Sequence, residues 1–92
     1  MMINHKYAVS QLTWLYRATL PVAGFYKDQA KEFIEVGEYG LALDTSADAF
    51  LQSHTFMPED LYAVFEDLAK KMKLDRDPEY TAVAELRKYQ AV

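Results

Sequence analysis

Apolar residues recur at intervals of three and four along most of this chain, and that spacing constrains its fold more than any other feature. The clearest run is Leu61, Val64, Phe65, Leu68 and Met72. At about 100° per residue these positions fall on one stripe of an α-helix, whereas a half-buried strand needs strict alternation. Runs of alternating Val, Ile and Thr are missing, and no Asn-Gly or Asp-Gly pair marks a hairpin. The chain therefore reads as all-α. Its 92 residues, 51% of them hydrophobic, suit one domain with one core, spanning residues 1–92. No repeat or low-complexity tract suggests otherwise.

Boundary residues divide the pattern into a compact bundle of four to five short antiparallel helices. A first helix is expected over Asn4 to Thr19, ended by Pro21, with Tyr7, Trp14 and Ala18 on one face and Ala8, Leu12, Leu15 and Tyr16 widening the stripe. Being apolar over most of its circumference, it is expected at the centre of the bundle. A second helix is expected from about Pro21 to Val36, clustering Val22, Phe25, Tyr26, Phe33 and Val36 and turning Lys27, Asp28, Lys31 and Glu35 to water. Gly37 then serves as its left-handed stop. A third, roughly Glu38 to Ser53, sets Tyr39, Leu43, Ser46, Ala47, Phe50 and His54 against Leu41, Asp44, Thr45, Asp48 and Gln52. A fourth opens with Pro58 at its first position, and a fifth with Asp77 as N-cap.

Charge is unevenly laid out. The net charge is −4, which argues against a nucleic-acid binder. Residues 1–36 hold four basic and three acidic groups, and residues 70–92 hold six and four. Between Gly37 and Ala69 there are seven carboxylates (Glu38, Asp44, Asp48, Glu59, Asp60, Glu66, Asp67) and no Lys or Arg. Such a stretch creates a negative field that attracts basic partners, and Tyr39, Phe56 and Tyr62 lie close by in sequence as aromatic anchors. The competing reading is a solvated acidic surface that serves solubility.

Catalysis finds no constellation. Asp44 and Asp48 are one turn apart, but no third ligand follows at metal-binding spacing. His5 and His54 are isolated, the serines lack a nucleophile elbow, and Gly24, Gly37 and Gly40 make no phosphate-cradling loop. No cofactor and no enzyme activity are expected. Without cysteine there is no disulfide framework, so the cytoplasm is the expected compartment. No apolar run is long enough to span a membrane. The apolar stretch from Met1 to Tyr26 is interrupted by Arg17 and reads as mature structure, not as a signal peptide.

The segment Phe33–Phe50, FIEVGEYGLALDTSADAF, and the later stretch Met57–Asp75, MPEDLYAVFEDLAKKMKLD, resemble the MafI family, small helical immunity proteins of bacterial polymorphic toxin systems of the contact-dependent-inhibition type. Ser46 and Ala47 stand where larger apolar residues would be expected from that resemblance. It implies a chain that binds and neutralises a cognate toxin C-terminal domain, often a nuclease with a basic groove. It implies neither direct nucleic-acid binding nor membrane attachment. On that reading the partner-binding residues are Glu38, Tyr39, Leu41, Asp44, Thr45, Asp48, Gln52, Glu59, Asp60, Tyr62, Glu66 and Asp67. Gly37, Gly40 and Leu43 would be structural, and Tyr39 could serve either purpose, its phase with Phe50 favouring the core. Replacing Asp44 and Asp48 together by Lys is expected to weaken binding while leaving the fold intact. The alternatives are a helical adaptor or oligomeric subunit, using the first helix as its interface, and a small helix-turn-helix regulator. The absence of Lys and Arg from the third helix speaks against the regulator.

Overall fold

The computed structural model describes residues 4–23 and 26–91. These form five α-helices: α1 His5–Ala23, α2 Tyr26–Glu35, α3 Tyr39–Gln52, α4 Glu59–Lys71 and α5 Thr81–Gln90, with a 3-10 turn at Leu74–Arg76 between the last two. Among the described residues there is no strand, and none of the helices is long and apolar enough to cross a membrane. The side chains of Val22, Phe25, Tyr26 and Lys27, to which the sequence assigns roles in α2, lie outside the described residues.

The joint between α2 and α3 follows the sequence closely. Gly37 has φ +79°, and two backbone bonds close the turn around it: Glu38 N–H to the Phe33 carbonyl at 2.8 Å and Gly37 N–H to the Ile34 carbonyl at 3.2 Å. This double bond pattern satisfies the last carbonyls of α2 and needs a left-handed residue, which glycine supplies at least cost. The same pattern recurs after α3, where Thr55 N–H reaches the Phe50 carbonyl at 3.0 Å and His54 takes φ 54°. His54 is therefore exposed in a turn, not on the buried side of α3. Val36, also expected in a cluster, is 64% exposed because α2 stops before it.

Three other boundaries depart from expectation. α1 continues through Pro21 to Ala23. A proline breaks the bond to the carbonyl four residues back, and within a last turn that loss does not propagate. Pro58 stands one position earlier than expected, as the N-cap of α4 with ψ 150°, so Glu59 and Asp60 occupy the first turn where the helix dipole favours them. Asp77 is not an N-cap. Its Oδ1 accepts the Glu79 N–H at 3.0 Å in a separate turn, and α5 starts only at Thr81.

The core is built around α3, which packs against all four other α-helices. Its buried positions are mostly small: Gly40, Ala42, Ser46, Ala47 and Ala49 beside Tyr39, Leu43 and Phe50. Small side chains let neighbouring helices approach from several sides, which is why Ser46 and Ala47 are tolerated there. Ser46 meets its hydrogen-bonding need within the helix, donating to the Ala42 carbonyl at 3.1 Å. The expectation that α1 is central is corrected. It buries Ala8, Leu12 and Leu15 but leaves Trp14 and Ala18 exposed.

Candidate protein-binding surface

Three of the seven carboxylates of the acidic run are used by the fold itself. Asp44, on the flank of α3 that meets α5, accepts the Val83 N–H at 3.0 Å. It thereby supplies the side-chain acceptor that the α5 N-cap residue, Tyr80, does not provide. Burial pushes its carboxyl above the ordinary range, offset in part by the N–H groups of Val83 and Ala82, with nearby Asp48 adding to the rise. Asp44→Lys is therefore expected to destabilise the fold, because it would set an ammonium against a helix N-terminus.

Glu66 on α4 bonds the Arg87 guanidinium of α5, with Nε to Oε1 at 2.6 Å, and lies 4.0 Å from Lys70. Asp67 accepts a hydrogen bond from the Tyr7 hydroxyl and pairs with Lys71 at 3.2 Å, while the Lys71 ammonium sits 4.3 Å from the Tyr7 ring centre. That environment, chiefly the Tyr7 hydroxyl, holds the Asp67 carboxyl below its ordinary value. Two of the seven carboxylates are thus matched by cations that sequence order places outside the acidic stretch. Tyr39 is 7% exposed and its hydroxyl bonds His5 Nδ1, so it belongs to the core and cannot be an accessible contact. Thr45 turns its hydroxyl to the Leu41 carbonyl at 2.8 Å. Tyr62 is half-buried and stacks on Phe65 with ring centres 5.6 Å apart. Burial and the nearby Glu66 raise its phenol pKa.

Glu38, Leu41, Gln52, Glu59 and Asp60 remain exposed, and Asp48 is half-exposed beside Gln52 at 3.4 Å. They do not form one cluster. Glu38 and Gln52 flank the length of α3 and so are separated by roughly 20 Å.

A different surface brings aromatic side chains together. Trp14 of α1 is 44% exposed and Phe56, in the connection between α3 and α4, is 54% exposed. With Ala18, Phe50 and Leu61 they border a groove of about 300 Å³, whose sole charged group among the described residues is Asp60. Its rim is pinned by α5. Phe56 stacks on Tyr89 with ring centres 4.3 Å apart at 20°, and the Gln90 side chain grips the next residue at both ends. Met57 N–H donates to Gln90 Oε1 at 2.6 Å, and Gln90 Nε2 donates to the Met57 carbonyl at 3.1 Å. The connection is thus held in one shape with a large ring facing water.

Of the residues expected to bind a partner, the structure places only Asp60 on this groove, with Glu59 adjacent in sequence. Phe56 stands out in the sequence as an aromatic near the acids, but Trp14 reads as part of the buried face of α1. The signal for Trp14 is its phase: it lies about 100° from Leu15 and about 200° from Leu12, both core residues. Among the described residues no three His, Asp or Glu side chains gather as metal ligands. Compared with protein-family models, curated proteins and solved structures, the chain finds no match.

Proposed function

We propose that this chain is a protein-binding domain whose partner is a basic protein, and that it acts as an immunity-type inhibitor of a cognate bacterial toxin domain in the cytoplasm. The observation that carries the binding reading is the pair of exposed rings, Trp14 and Phe56, across a groove whose charge comes from Asp60. Aromatic side chains beside a concave apolar surface are what the energetic centre of a protein interface requires. Carboxylates at its edge select partners that present an apolar side chain flanked by Lys or Arg, and hasten their encounter. The toxin-neutralising reading rests on the resemblance in Phe33–Phe50 and Met57–Asp75 and on the negative net charge, which suits a nuclease groove built to hold phosphates.

The test is co-expression with the product of the gene immediately upstream. The chain should restore growth to cells making that product and co-purify with it. Trp14→Ala combined with Phe56→Ala should weaken the complex about thirtyfold or more, the size of a hot-spot loss, with unchanged circular dichroism. Failure of the wild-type chain to protect removes the toxin reading, and unchanged affinity in the double variant removes the groove from the interface. The same exposed rings suit a second copy of the chain as an oligomeric subunit. Sedimentation separates that reading, because self-association abolished by Trp14→Ala would place the partner within the protein itself.

A further inference from the structure

α1 carries three faces. Ala8, Leu12 and Leu15 enter the core, Trp14 and Ala18 border the aromatic groove, and His5, Val9, Thr13, Tyr16 and Arg17 line a second groove against α2. The spacing of this third set, at steps of mainly three and four, makes it a continuous strip along the helix. The groove measures about 560 Å³, within the range of small-ligand sites and larger than the aromatic groove of about 300 Å³.

Its charge is opposite to that of the aromatic groove. Val9, Tyr16 and Ile34 supply apolar surface, and Arg17 and Lys31 supply two cations against the single carboxylate of Glu35. Arg17 makes no ion pair with another described residue. Lys31 reaches Glu35 only at 4.0 Å with both side chains 63% exposed, a contact worth little and easily exchanged. In a chain of net charge −4, a local excess of positive charge over an apolar floor favours an anion there.

We propose that the α1–α2 groove binds a small amphipathic anion, a carboxylate carrying an apolar chain. Its head lies between Arg17 and Lys31 and its chain lies along Val9, Tyr16 and Ile34. Arg17 offers a planar fork that matches a carboxylate, and Lys31 offers a second donor across the groove. This site is independent of the protein-binding reading, because it uses neither Trp14 nor Phe56.

Titration of the 15N-labelled full chain with decanoate, kept below its aggregation concentration, tests it. Saturable amide shifts are expected within residues 5–17 and 28–35, with no saturation by acetate, which has the head alone, or by decyltrimethylammonium, which has the tail with the opposite charge. Arg17→Gln with Lys31→Gln, both at exposed positions, should lower decanoate affinity about tenfold or more, as expected for losing charge-assisted contacts. Absence of saturation, equal binding of the cationic probe, shifts centred on Trp14 and Phe56, or unchanged affinity in the double variant would each overturn the proposal.

Discussion

Asp44 and Glu66, on the flanks of α3 and α4 that meet α5, are taken up by the fold, while the exposed aromatics in the groove between α1 and the connection after α3 stay open. Asp44 is occupied by the Val83 N–H, and Glu66 by Arg87 and Lys70. Trp14 and Phe56 by contrast face solvent at 44% and 54% exposure. A segment free of Lys and Arg is therefore not the same thing as a surface free of them. Folding brings cations from one part of a helical bundle onto acids of another, and α5 does this here. The aromatic groove persists because α5 spends its Gln90 and Tyr89 contacts on holding the rim, not on covering it.

The sharpest way to break this comparison is Asp44→Lys against Trp14→Ala. The first removes the acceptor at the start of α5 and places a half-buried ammonium against the positive end of a helix, which should cost about 3 kcal/mol or more. The second removes a ring already exposed and should cost less than about 1 kcal/mol. Urea denaturation of the two variants decides the matter, and equal losses would mean that Asp44 is not committed to the fold. Next in size, Gln90→Ala leaves the Met57 N–H and carbonyl without their side-chain partner and should cost about 1–2 kcal/mol. It should also speed hydrogen exchange at Met57, and wild-type protection there would show that Tyr89 alone holds the rim.

The helices were legible in the sequence because their signals are local. The stripe of α4, the glycine stop at Gly37 and the buried set Tyr39, Leu43, Ser46, Ala47 and Phe50 all follow from spacing and backbone preference within one turn or two. The start of α5 was not legible. Asp77 and Pro78 imitate a cap, while the acceptor that serves the helix, Asp44, comes from a residue 39 positions away from Val83. The pairing of the acids was hidden in a similar way. Seven carboxylates are visible in a linear stretch, and the Asp67–Lys71 pair one helical turn apart is local, but whether Arg87 neutralises Glu66 depends on how α4 and α5 pack. Trp14 illustrates the converse, since an aromatic ring one step from a core stripe is buried or exposed according to which neighbours cover that edge.

Smaller effects sharpen the contrast among the acids themselves. Arg87→Met should cost about 1 kcal/mol by leaving Glu66 with only its distant partner Lys70, since the Arg87–Glu66 pair is partly shielded, with side chains 33% and 21% exposed. The smallest effect is a pH dependence, in which Asp67 and Asp44 act with opposite signs. The Asp67 carboxyl is held below its ordinary 3.8, first by the Tyr7 hydroxyl and then by Lys71. Its stabilisation is therefore complete above pH 3.8 and is lost as the pH falls through the lower folded value. The Asp44 carboxyl is raised, so its ionisation opposes folding, and that penalty is relieved as the pH falls through its folded value. In denaturation midpoints measured from pH 7 downwards, Asp67→Asn should lie below the wild type at neutral pH and converge with it in acid. Asp44→Asn should change in the other direction, comparing better with the wild type at neutral pH than in acid. Tyr7→Phe should reproduce much of the Asp67→Asn profile, because the hydroxyl is the main cause of the lowered pKa. A Tyr7→Phe profile parallel to the wild type throughout would assign the effect to Lys71 instead, and would leave α1 free of the acidic face of α4.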